Sequence, residues 1–158
     1  LTGAITISTT LDPQAQTILR QKEEALIADL KKDPTRLDLW LKLGVDRKIG
    51  SDFTGAIEAW NYVAKAGPTS LSYIAYGNLA DPFMNFVKDY PKSEESYKAA
   101  IAINPKVVDY YRNLAALYTS FYKTGTSAAA DIVAQGLQAN PNDPDLLKLQ
   151  AQLKGSAQ

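Results

Sequence analysis

Four prolines constrain this chain more than any other feature. Pro34, Pro68, Pro105 and Pro141 stand 34, 37 and 36 residues apart, each after one apolar helical run and before the next. A proline inside a helix removes a backbone donor and clashes with the preceding turn, so each one stops a helix and opens the next connection. A near-constant period of this length fits a unit of helix, turn, helix, turn, repeated along the chain.

The residues between the prolines give the unit its content. In the first, Trp40, Leu43 and Gly44 are followed by Ala56, Ile57 and Trp60, with Pro68 closing it. The second carries Tyr73, Tyr76, Gly77 and Ala80, then Ser93, Tyr97, Ala100 and Pro105, with four extra residues between its helices. The third carries Tyr111, Leu114, Ala115 and Tyr118, then Ala129, Val133, Gly136 and Pro141. Sterically, a glycine or alanine at the contact lets two antiparallel helices approach, and large residues one turn away fill the space beside them.

This pattern resembles the tetratricopeptide repeat (TPR), with one departure in the first unit: Arg47 stands where an aromatic is usual. The resemblance implies an all-α fold, a right-handed alpha-alpha superhelix (a TPR-like solenoid) of about three helix pairs with flanking N- and C-terminal helices. Its units cover about 37–70, 71–106 and 107–141. Asp12 as N-cap and Pro13 in the first turn predict a preceding helix over 13–32, and Asp143 before Pro144 opens a cap helix over 143–154. Residues 1–12 read as an extended segment, 13–154 as one repeat domain and 155–158 as a polar tail.

Composition closes several function classes. Seventeen basic and seventeen acidic residues give no net charge, so the electropositive footprint of a nucleic-acid binder is missing. Without cysteine or histidine there is no thiolate chemistry, no disulfide and no imidazole ligand or base. No run approaches the ~18 apolar residues of a membrane span, so direct insertion is not expected. The small, hydroxyl-rich opening (residues 1–8) has the character of a mature chain's start after removal of a signal or anchor, or of a cut in a longer chain. The setting therefore leans to an extracytoplasmic soluble domain, with a cytoplasmic one the alternative.

In TPR proteins the first helices of successive repeats line a concave groove that takes up a partner segment, so the resemblance directs attention there. The candidate groove residues are Leu41, Val45 and Lys48 on the first such helix, Ile74, Asn78 and Asp81 on the second, and Asp109, Arg112, Ala116 and Thr119 on the third. The alternative is that Leu41 and Val45 pack against the 13–32 helix as core. One TPR subgroup clamps the C-terminal carboxylate of chaperones with polar side chains. Leu41, Val45 and Ala75 occupy those positions here, and Asp109 would repel a carboxylate.

The segment 81–91 is the most individual stretch. Pro82 is expected to end or kink its helix, with Asp81 capping a short new one that presents Phe83, Phe86 and Val87. Together with Tyr90 these form a second candidate surface, unless the aromatics fold back onto the core. Of the nine tyrosines, five lie on the repeat signature; about half of the other four, Tyr62, Tyr90, Tyr110 and Tyr122, are expected to be exposed.

Lys22, Glu23 and Glu24, and likewise Lys31, Lys32 and Asp33, read as solvated helix faces. The oxygen-rich stretch 140–145 lacks the glycine and closing glutamate of a calcium loop and reads as a turn with an N-cap. No catalytic constellation, cofactor or metal site emerges. The expected function is a non-catalytic scaffold holding a protein or peptide segment, with a monomer favoured. The alternative is a self-association module or the recruitment arm of a larger, membrane-tethered protein.

Overall fold

The computed structural model of the protein describes residues 4–67 and 69–155. Pro68, expected to close the first unit, and the three residues at each end lie outside them. Among the described residues every regular element is a helix, and residues 4–12 lead into the first one without regular structure. Its elements are α1 (Pro13–Lys32), α2 (Leu37–Ile49), α3 (Phe53–Ala66), α4 (Thr69–Pro82), a π-helical turn (Phe83–Val87), α5 (Tyr90–Ile103), α6 (Val108–Ser120), α7 (Ala128–Ala139) and α8 (Pro144–Gly155). The chain divides into two compact units, Leu1–Leu79 and Ala80–Gln158, the division falling within α4.

In the first unit α1 starts as its sequence dictates. The Asp12 carboxylate accepts hydrogen bonds from the Gln14 and Ala15 amides at 2.8 and 3.3 Å, and Pro13 occupies the first turn, where no donor is needed. α2 packs along both α1 and α3. Gly44 is buried, and a Cβ built on it would lie 2.6 Å from Cδ1 of Trp60. Only glycine lets the two helices come this close. The Trp60 indole donates to the Leu41 carbonyl at 3.2 Å, which fixes its ring across the contact. Beside it, Ile27, Leu30, Leu39 and Leu43 form a core against which Ile5 and Leu26 pack. The Ser8 amide donates to the Gly50 carbonyl at 2.7 Å, tying the N-terminal segment to the α2–α3 turn.

The second unit repeats the device. Gly136 of α7 is buried, and a Cβ there would meet Tyr111 Cγ at 2.9 Å and Leu146 at 3.0 Å. Tyr97, Tyr111, Leu114, Leu117, Tyr118 and Val133 fill the core around it. At α8, Asp143 caps the first turn by accepting from the Asp145 and Leu146 amides at 3.1 and 3.0 Å, so the 140–145 stretch is the expected helix start.

The 81–91 segment differs from expectation in one respect. Asp81 does not cap a new helix. The α-helix ends at Pro82, as expected, but passes without a break into the π turn, and the Asp81 carboxylate accepts from Asn85 Nδ2 at 2.6 Å. The turn ends at Lys88 with φ 62°, and Asp89 caps α5 through the Lys92 amide at 3.2 Å. Met84 and Tyr90 fold back onto the core, whereas Phe86 and Val87 stay about half exposed. Of the four off-signature tyrosines Tyr62 alone is exposed; Tyr90, Tyr110 and Tyr122 are half-buried.

Candidate functional site

The first unit carries an open cleft of about 540 Å³. Its walls are Ala25 and Leu26 of α1, Leu41 and Val45 of α2 and Ile74 of α4; Lys22, Lys42, Asp46 and Asn78 stand among them. The 3.6-residue period explains the lining: Leu41 and Val45 lie one turn apart on the α2 face that flanks the Gly44 contact, and Ile74 and Asn78 lie one turn apart on α4. Leu41 is half-buried and Val45 is 42% exposed. α1 is thus a wall of the cleft and does not cover it.

Four of the expected groove residues, Leu41, Val45, Ile74 and Asn78, therefore gather at one place. Lys48 lies near the end of α2, half-buried and outside the lining. Asp81 belongs to the second unit and is held by Asn85. Asp109, Arg112, Ala116 and Thr119 form an exposed stripe on α6. There Arg112 pairs with Asp109 at 3.0 Å and with Asp145 of α8 at 3.5 Å, and Thr119 donates to the Ala115 carbonyl at 3.0 Å. Of the second candidate surface, Phe83 and Tyr90 are half-buried. Tyr90 stacks on Phe121 with ring centroids 5.7 Å apart.

Next to the cleft lies a feature the sequence pattern misplaces. Lys22 and Glu24 are exposed as expected, but Glu23 between them is fully buried. It sits in register with Leu19, Ile27 and Leu30 on the inner stripe of α1, so its position in that stripe, four residues from an apolar neighbour on either side, is the signal that marks it. It faces Arg47, the first repeat's departure from the pattern, which is also buried. Arg47 Nη1 donates to the Gly55 carbonyl at 3.1 Å, and Nε lies 3.9 Å from both Glu23 Oε2 and Asp52 Oδ2. Asp52 also caps α3 through the Gly55 amide at 2.9 Å, but neither Glu23 oxygen has a hydrogen-bond partner. Burial pushes the Glu23 carboxyl up to about 7, against the pull of Arg47 and with Asp52 and Asp46 adding to it. Asp46, at the cleft, is also raised by burial, with Lys22 opposing.

The second unit holds a buried glutamate of opposite character. Glu94 of α5 accepts from Lys98 at 2.6 Å, from the Tyr118 hydroxyl at 2.6 Å and from Lys123 at 2.7 and 2.9 Å. Burial opposes its ionisation, but the hydrogen bonds from Lys123, Lys98 and Tyr118 outweigh it and hold the carboxyl down to about 2. Lys123 reaches Glu94 from the α6–α7 turn, where its backbone takes a left-handed φ of 60°. Both Glu94 oxygens are thus held by donors.

No protein-family model matches the sequence, and no curated protein matches it significantly. Solved structures do. One structure of MamA superposes with a TM-score of 0.69 at 22% identity over 93% of this chain and 86% of that one, and another with 0.66 at 23% over 87% and 72%. The first TPR of Spaghetti (RPAP3), bound to the HSP90 peptide SRMEEVD, superposes with 0.62 at 16% identity over 79% of this chain and 95% of that one. At such identities the likeness speaks to architecture. The chain has the tetratricopeptide-repeat fold, an all-α solenoid of helix pairs.

Proposed function

We propose that this protein is a non-catalytic interaction scaffold, and that the cleft of its first unit takes up a segment of a partner protein. The observation that carries the reading is the cleft itself: five apolar side chains from three helices left open to solvent, with charged groups set among them. A volume of this size suits a few aliphatic or aromatic side chains from one side of a helix or an extended segment. The RPAP3 domain, of the same fold, holds an HSP90 peptide rich in acidic residues. Here apolar walls and Asp46 replace the polar groups such a tail needs, so the partner is read as an apolar-sided segment and not a chaperone carboxylate.

The test is capture by the immobilised protein beside a Leu41→Glu/Val45→Lys variant whose helical content matches wild type. A partner retained by wild type and lost by the variant supports the reading; equal capture by both refutes it. Exposure of Phe86 and Val87 favours a second reading, self-association through the 83–90 segment. A monomeric mass across a concentration series, unchanged in Phe86→Ser/Val87→Ser, dismisses it.

A further inference from the structure

The geometry points to a protonation switch: Glu23, Arg47 and Asp52 form a buried cluster whose charge state sets how firmly α1 is held against α2, the two helices that wall the cleft. Two carboxylates share one guanidinium. Arg47 is committed to the Gly55 carbonyl, and Asp52 is committed as the cap of α3. Glu23 is the surplus acid, with both oxygens out of solvent and without a hydrogen-bond partner, and its ion pair with Arg47 is a long one at 3.9 Å. Its ionisation therefore places between α1 and α2 a second negative charge on a guanidinium already shared with Asp52, only partly offset and without a hydrogen-bond donor. The other charged groups facing it are Arg20 on its own helix and Asp46 on α2, which oppose each other.

The cluster controls α1 because Glu23 sits midway along the buried stripe that joins that helix to its neighbour. Adjacent residues on the same two helices, Lys22 and Asp46, line the cleft, so a change in the α1–α2 packing alters the cleft directly. That consequence rests on the proposed binding role; the switch does not.

The sign comes from linkage. The carboxyl titrates near 7 in the folded chain, above the 4.5 of an ordinary glutamate. The folded state thus binds a proton that the unfolded state releases between these values, so its contribution is full below pH 4.5 and is lost as pH rises through 7. The chain has no histidine and no cysteine, so side chains that ordinarily titrate in this interval are missing and the signal stands nearly alone.

The experiment needs no ligand. Melting temperature is measured from pH 5 to 8.5 for wild type, Glu23→Gln and, to isolate its neighbour, Asp46→Asn. Amide exchange across α1, normalised for the intrinsic pH effect, is measured on wild type. The expected result is a fall of several degrees on going to pH 8.5 in wild type and in Asp46→Asn, a nearly flat profile in Glu23→Gln, and lost protection concentrated in α1. A flat wild-type profile, or the same fall in Glu23→Gln, overturns the switch. If Glu23→Gln does not fold, the wild-type exchange map decides: loss at α1 upholds it, and unchanged or uniform protection refutes it. Loss of partner capture in Leu41→Glu/Val45→Lys tests the cleft separately, so either idea can fail without the other.

Discussion

Glu23 in the first unit and Glu94 in the second are both buried carboxylates on helices, and they are held in opposite ways. Glu94 has three donor side chains within 2.9 Å and is an anion down to about pH 2. Glu23 is more completely buried, has no donor and keeps its proton to about pH 7. Burial raises the cost of charge at both sites; the supply of donors decides which one bears it. The second unit has spent its charges on structure, whereas the first keeps an unsettled one beside an open apolar cleft.

The units are alike at the helix contact, and this is where the largest effect is expected. Gly44→Leu forces a side chain into the Trp60 ring and should cost about 3 kcal/mol or more, read as loss of the cooperative melt. A stable, well-folded Leu variant would overturn the repeat register. Gly136→Leu, against Tyr111 and Leu146, should behave in the same way if the two contacts are equivalent.

The glutamates should then part. Glu94→Gln leaves Lys98 and Lys123 without their anion and should cost about 2 kcal/mol at neutral pH by denaturant melts. Because the folded carboxyl lies below its ordinary value, this stability is present above pH 4.5 and is lost as pH falls toward 2, so wild type and variant should converge in acid. Glu23→Gln should do the reverse, matching wild type below about pH 4.5 and exceeding it by a margin that grows as pH rises to 7 and then levels off. Convergence or divergence in the same direction for both would erase the contrast. The smallest effect is Tyr118→Phe, which removes one of Glu94's donors and should cost about 1 kcal/mol while raising the acid midpoint.

Much of this architecture was legible in residue spacing. Asp12 and Pro13 set the start of α1, Gly44 and Trp60 the first helix contact, and Tyr111 and Gly136 its counterpart, because each acts through local sterics that a period reveals. The failures are equally local in cause. Asp81 has the residue type of an N-cap, but a cap needs a break before it, and the π turn absorbed Pro82 without one. Glu23 lies between two exposed charged residues, and that company suggested solvent; its register with Leu19 and Ile27 carried the opposite message. Arg47 was visible as a departure from the pattern, yet its partner could be known only once α1 was placed on α2. For the site, four of the six candidate residues on α2 and α4 line the cleft and Lys48 and Asp81 do not, while the contribution of Lys22, Ala25 and Leu26 from α1 required the fold.

The most direct test of the binding role is photocrosslinking from the cleft in the source extract. A photoreactive residue replacing Val45, exposed in the cleft, is compared with one replacing Glu95, exposed on α5 of the second unit. The expected result is a discrete crosslinked protein from position 45 that disappears when Leu41→Glu is added, with none of it from position 95. Identical products from both positions, or a product at position 45 indifferent to Leu41→Glu, would contradict it.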